Sequence, residues 1–84
     1  MNIEIDLYDT PDIDNGIILA TTLVKHEPKV GDIIDFHTSD SFTEYQVLNV
    51  IERRHNYCGN LTMSLLVTII NQGERDIWDS IKNL

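Results

Sequence analysis

The sequence predicts a mostly β domain, a five-stranded coiled antiparallel sheet or small barrel with one short C-terminal helix. Three observations carry this reading. Twelve Ile, five Val and seven Thr supply β-branched residues in abundance, whereas alanine, the best helix former, occurs once, at Ala20. Several segments alternate apolar and polar residues with the period of two that a half-buried strand requires. The glycines and prolines, at Pro11, Gly16, Pro28, Gly31, Gly59 and Gly73, all fall where that pattern breaks. With 84 residues, 42% of them apolar, the chain has material for one small core and none for a second domain.

The first strand is predicted over residues 2–8, where Ile3, Ile5 and Leu7 alternate with Asn2, Glu4 and Asp6. An acidic loop, Asp9 to Gly16, follows and ends in Asn15-Gly16, a pair that tolerates tight turns. Residues 17–26 read as the second strand, with Ile17, Leu19 and Leu23 pointing one way and Ile18, Ala20 and Val24 the other, which implies burial on both faces or a bulge. After the Glu27–Asp32 turn, residues 33–37 form a short third strand with Ile34 and Phe36 on one face. The fourth strand runs about 43–54, with Tyr45, Val47 and Ile51 on one side and Leu48 and Val50 on the other. Its length implies strong coiling or a bend. Residues 61–70 form the fifth strand, with Leu61, Met63, Leu65, Val67 and Ile69 in register. The period then changes: Ile77, Trp78, Ile81 and Leu84 recur at helical spacing, and Asn71 with Glu74 resembles a capping box, so a helix is expected over about 74–83.

Fourteen acids against six Lys and Arg give a formal charge of −8, which repels phosphate backbones and anionic membranes and argues against binding either. The imbalance lies entirely in residues 1–44, which hold ten acids and only Lys25 and Lys29 as bases. No basic, apolar leader opens the chain, and a single cysteine, Cys58, excludes an internal disulfide framework. A cytoplasmic protein is therefore expected.

The candidate partner-binding residues are Asp9, Asp12, Asp14, Asp32, Asp35 and Asp40, which together with Asp6 are expected to lie largely exposed because unpaired buried carboxylates are costly. Two readings stay open for them, a solubilising surface and a surface compensated by a basic partner. Calcium binding of the EF-hand kind fails on register: counted from Asp12, the glycine is fifth and position twelve is Leu23. His55 and Cys58 form a weaker alternative metal cluster, with His26 and His37 near other strand ends. Strong zinc signatures carry two such close pairs, so no structural metal and no cofactor are expected. A Cys58–His55 nucleophilic pair lacks a legible orienting group, and no enzyme activity is expected. Arg53 and Arg54 are read either as partners for the surplus acids of the first half or as charges that keep an exposed strand from aggregating.

Residues Pro28-Lys29-Val30-Gly31-Asp32-Ile33-Ile34-Asp35-Phe36, followed by Tyr45-Gln46-Val47-Leu48-Asn49-Val50 and a late apolar strand, resemble many small bacterial and phage β-barrels. There a Val-Gly-Asp turn launches one strand and a Tyr-x-Val strand pairs with it. The stretch 28–70 is similar to the SH3-like barrels of phage head-tail joining proteins. The resemblance implies an SH3-like barrel and carries no functional residue across, whereas five strands with short connections and one terminal helix fit an SH3-like or an OB-like barrel alike. The C-terminal helix and the acidic first hairpin depart from that pattern.

The function expected from these readings is a noncatalytic acidic protein–protein interaction module whose partner the sequence does not identify; where the acids are functional, that partner is basic. Two other classes are a phage virion component of the head-tail type and a phage-encoded inhibitor whose acidic face imitates nucleic acid. Apolar residues on both faces of strands two, four and five, more than one short helix covers, predict a homodimer.

Overall fold

Ile3, Ile5 and Leu7 put three β-formers on one face of a short segment, and this segment becomes the organising strand of the molecule. In the computed structural model, which describes residues 2–74, it is β1 (Ile3–Tyr8). It is followed by β2 (Ile18–Val24), β3 (Ile33–His37), β4 (Ser41–His55) and β5 (Leu61–Glu74). The five strands form one sheet in the order β2-β1-β5-β4-β3. β1–β2 is an antiparallel hairpin and β3–β4–β5 an antiparallel meander. The two units join where β1 lies parallel to β5, Ile5 opposite Met63 and Leu7 opposite Leu65.

The sheet is therefore mixed, not antiparallel as expected. A parallel ladder requires a long crossover, and here all the chain between β1 and β5 supplies it. A core covers one face: Ile3, Ile5 and Leu7 from β1, Ala20 from β2, Ile34 from β3, Tyr45 and Val47 from β4, and Leu61, Met63, Leu65 and Val67 from β5. Both edge strands thus contribute to one core, so the sheet is curled, yet β2 and β3 share no ladder and it is not closed. A surface hollow lined by Val24, His26, Pro28, Ile33 and Ile34 lies where the end of β2 and the start of β3 face one another.

Curling is produced by bulges. The β1–β2 register shifts between Leu7 and Tyr8, and the β4–β5 register shifts between Glu44 and Tyr45, Val47 and Asn49, and Val50 and Glu52. The expected bend in β4 is present, and it changes which residues face inward. Leu48 is the extra residue of a bulge and is exposed, so Val50, not Ile51, returns to the core beside Val47.

β5 continues as a strand to Glu74, with Asn71 opposite Glu44 and Gly73 opposite Phe42. The expected cap at Asn71 and Glu74 is accordingly wrong. The β4 ladder claims those backbone groups, and the Phe42 ring fills the space over Gly73, where a Cβ would stand 2.9 Å from it. The remainder of the expected helix, residues 75–83, lies outside the described residues. Gly31 and Gly59 have φ of 95° and 80°, a left-handed conformation that suits glycine in the turns preceding β3 and β5.

Candidate functional site

Strand direction sorts the charges. β1 runs parallel to β5 as far as Tyr8 opposite Leu66, so the chain enters the Asp9–Ile17 loop beside the half of β5 that pairs with the start of β4. Asp35 and Glu44 are directly opposite one another in the β3–β4 ladder at this same end, where the Thr38–Ser41 turn carries Asp40 and β5 finishes at Glu74. Asp9, Asp12, Asp14, Asp35, Asp40, Glu44 and Glu74 therefore share one end of the sheet. Lys25, Lys29, Arg53 and Arg54, all the Lys and Arg among the described residues, lie towards the other.

The six candidate carboxylates have different duties, and all but Asp32 lie at the acidic end. Asp12 organises its loop: its Oδ1 accepts the Asp14 amide at 3.2 Å and its Oδ2 accepts the Asn15 side-chain amide at 2.7 Å. The Asn15 bond holds the Asp12 carboxyl below its ordinary value. Asp32 accepts the Lys29 amide at 2.8 Å and closes the turn before β3, and Asp40 accepts the Thr38 hydroxyl at 3.0 Å. Three of the six candidate acids are thus turn-formers. Asp9, Asp14 and Asp35 are exposed and accept no side-chain hydrogen bond from the described residues.

Asp6 departs from expectation and is buried. It lies in a cross-strand row between Thr21 and Ser64, and the Thr21 hydroxyl donates to it at 3.0 Å. Its strand is second from the edge, so neighbours on both sides shield it, and Tyr8 on the same face is buried as well.

At the opposite end Arg53 Nε donates to Glu27 at 2.6 Å, tying the β2–β3 connection to β4. This is the expected pairing with an acid of the first half; Arg54 instead lies 3.8 Å from Glu52, its neighbour in the second. The Arg53 bond holds the Glu27 carboxyl below its ordinary value of 4.5, so the pair's contribution is complete above that value and disappears as the pH falls through the lower folded value. Between about pH 6 and about pH 3 the thermal midpoint of the wild type should therefore fall further than that of Glu27→Gln. Parallel pH profiles would show that the pair adds nothing.

His55 ends β4 and Cys58 is exposed in the following turn, whose shape is set by Asn56. Its side-chain oxygen accepts the amides of Cys58 and Asn60 at 2.9 and 3.0 Å. His26 lies in the β2–β3 connection, whereas His37 stacks on Phe42 at the acidic end, so the two do not converge. Among the described residues no group of three or more His, Cys, Asp or Glu is placed to hold a metal, and no helix is long and apolar enough to cross a membrane. Three aromatics scatter over the sheet and form no common surface: Tyr45 is core, Phe42 covers Gly73 and Tyr57 is fully exposed. No family model matches the chain, and no curated protein or solved structure matches it.

Proposed function

We propose that the domain is a noncatalytic protein–protein interaction module that presents its acidic end to a basic protein partner, and that it acts as a homodimer in the reducing environment of the cytoplasm. The observation that supports this reading is the separation of charge along the sheet. Asp35 and Glu44 face each other directly across a ladder, an arrangement that costs stability, with no Lys or Arg of the described residues beside them. A basic partner removes that repulsion on binding and gains rapid, salt-sensitive association from it.

The test begins with capture of the partner from the native host and its identification by mass spectrometry, and continues with affinities at two ionic strengths. Asp9→Asn, Asp14→Asn and Asp35→Asn are combined, because these three side chains hold no turn, and affinities are compared at concentrations where light scattering gives the variant and the wild type the same oligomeric state. The triple variant should bind about tenfold more weakly or worse at low salt and lose most of its salt dependence. Unchanged affinity and unchanged salt dependence would reduce the acidic end to a solubilising surface.

A further inference from the structure

The two edges of the sheet differ in how they are protected against pairing. β3 is five residues long, carries Asp35 at its centre and is preceded by Asp32. Short length and charge are the usual means of blunting an edge. β2 has neither. Among the described residues it pairs only with β1, and from Ile17 to Val24 it contains no charge, no proline and no glycine. Ile17, Ile18, Leu19 and Leu23 keep 76, 49, 37 and 60% of their surface exposed. A β-branched, uncharged edge of this length is a template for another strand.

The charges flanking β2 say which strand fits. Its first residues follow the loop of Asp9, Asp12 and Asp14; its last lead into Lys25, His26, Glu27 and Lys29, and the Glu27 charge is taken up by Arg53. Among the described residues neither Lys25 nor Lys29 has a carboxylate within ion-pair distance. We propose that a second copy of this chain adds to β2, antiparallel, about a two-fold axis near Ala20 and Thr21, making one continuous ten-stranded sheet. This proposal rests on the homodimer stated above and assigns its surface.

An antiparallel two-fold lays the acidic loop of each copy against the basic end of the other, so Asp9 and Asp14 face Lys25 across the dimer while Asp35, Asp40 and Glu44, on β3, its turn and β4, stay open to the basic partner. A parallel pair would put acid on acid. The arrangement also terminates: pairing consumes both β2 edges and leaves only the two protected β3 edges outermost, so assembly stops at two. On the face away from the core, Ile18 and Leu23 of one copy come beside Leu23 and Ile18 of the other and lose their exposure together.

Light scattering on the full chain, with variants on each edge, tests the proposal. The wild type should run at about twice 9.7 kDa in the micromolar range. Ile18→Lys with Leu23→Lys, both on exposed side chains, should raise the dissociation constant about 100-fold or more, while Ile33→Lys on β3 should leave it unchanged. If the double variant loses its far-UV sheet signal, Leu23→Lys alone is read in its place. Asp9→Lys with Asp14→Lys in one chain, and Lys25→Glu in another, should each weaken self-association, and an equimolar mixture of the two should restore a dimer. A monomeric wild type would overturn both the homodimer and this surface. Dimers that survive the Lys substitutions on β2 would overturn the surface alone, and failure of the mixture to recover would overturn the antiparallel arrangement.

Discussion

Leu65→Ala should destabilise the domain by about 2–5 kcal/mol, the cost of removing a fully buried leucine and leaving a cavity that neighbours fill only partly. Leu65 is completely buried at the middle of β5, with Leu7 opposite it in the parallel β1 ladder and Val50 opposite it in the antiparallel β4 ladder. It therefore sits at the seam where the β1–β2 hairpin meets the β3–β4–β5 meander. A domain of this size has total stability on the order of 4–12 kcal/mol, so the variant should be largely unfolded at modest denaturant concentration. Urea titration reads the effect as a lower midpoint at unchanged slope. Leu7→Ala should cost a similar amount, and the double variant should cost less than the two combined because they share one contact. Leu48→Ala supplies the contrast, since that side chain is exposed on a bulge and should move the midpoint by less than about 0.5 kcal/mol equivalent. A Leu65→Ala midpoint as high as that of the wild type would mean that the two units do not depend on their seam.

The seam itself was not legible in the sequence, although the strands that form it were. Ile3-Glu4-Ile5-Asp6-Leu7 and Leu61-Thr62-Met63-Ser64-Leu65 announce two half-buried strands, and both are present. Periodicity is a property of one strand at a time, so it says nothing about which strand lies beside which or in what direction. The same limit explains β4. Regular alternation from Tyr45 assigns Ile51 to the inner face, but each bulge inserts one residue and reverses the assignment beyond it. At Asn71 and Glu74 the local signal competed with an unfinished ladder to β4, and the ladder prevailed. Asp6 was misplaced for a related reason. Its burial comes from Thr21 and Ser64 on neighbouring strands, and nothing adjacent in the chain reveals them.

The acidic end shows the reverse, since composition exposed the surplus of acids but only topology brings Asp35 and Glu44 beside the loop of Asp9 and Asp14. That loop is also less open than its polarity suggests. Tyr8 is buried on the face opposite the core, and the loop contributes to its cover: a Cβ built on Gly16 would meet the Tyr8 ring at 3.2 Å. Asn15-Gly16 signalled a turn on the strength of glycine's freedom at positive φ, yet Gly16 is not among the positive-φ residues. What the position requires is space.

Gly16→Ala should therefore cost about 1–3 kcal/mol, the range for forcing extra atoms into a filled site. The added methyl would stand 2.8 Å from the Asp12 carbonyl oxygen and 3.0 Å from Cγ2 of Thr10. The Asp12 backbone yields only if the turn held by the Asp12–Asn15 and Asp12–Asp14 bonds opens. Gly73→Ala is the informative comparison. Its new methyl would first meet the Phe42 ring, at 2.9 Å, and a side chain on a half-exposed surface rotates away more cheaply than a backbone carbonyl moves. The order of denaturation midpoints should accordingly be wild type, then Gly73→Ala, then Gly16→Ala, and amide exchange should accelerate across residues 9–17 in the last of these alone. Because the same loop carries Asp9 and Asp14, Gly16→Ala should also weaken self-association through β2, whereas Gly73→Ala should leave it intact. If Gly16→Ala is as stable as the wild type and its loop amides remain as protected, the loop does not clamp Tyr8, and the positions of Asp9 and Asp14 are set by something other than that contact.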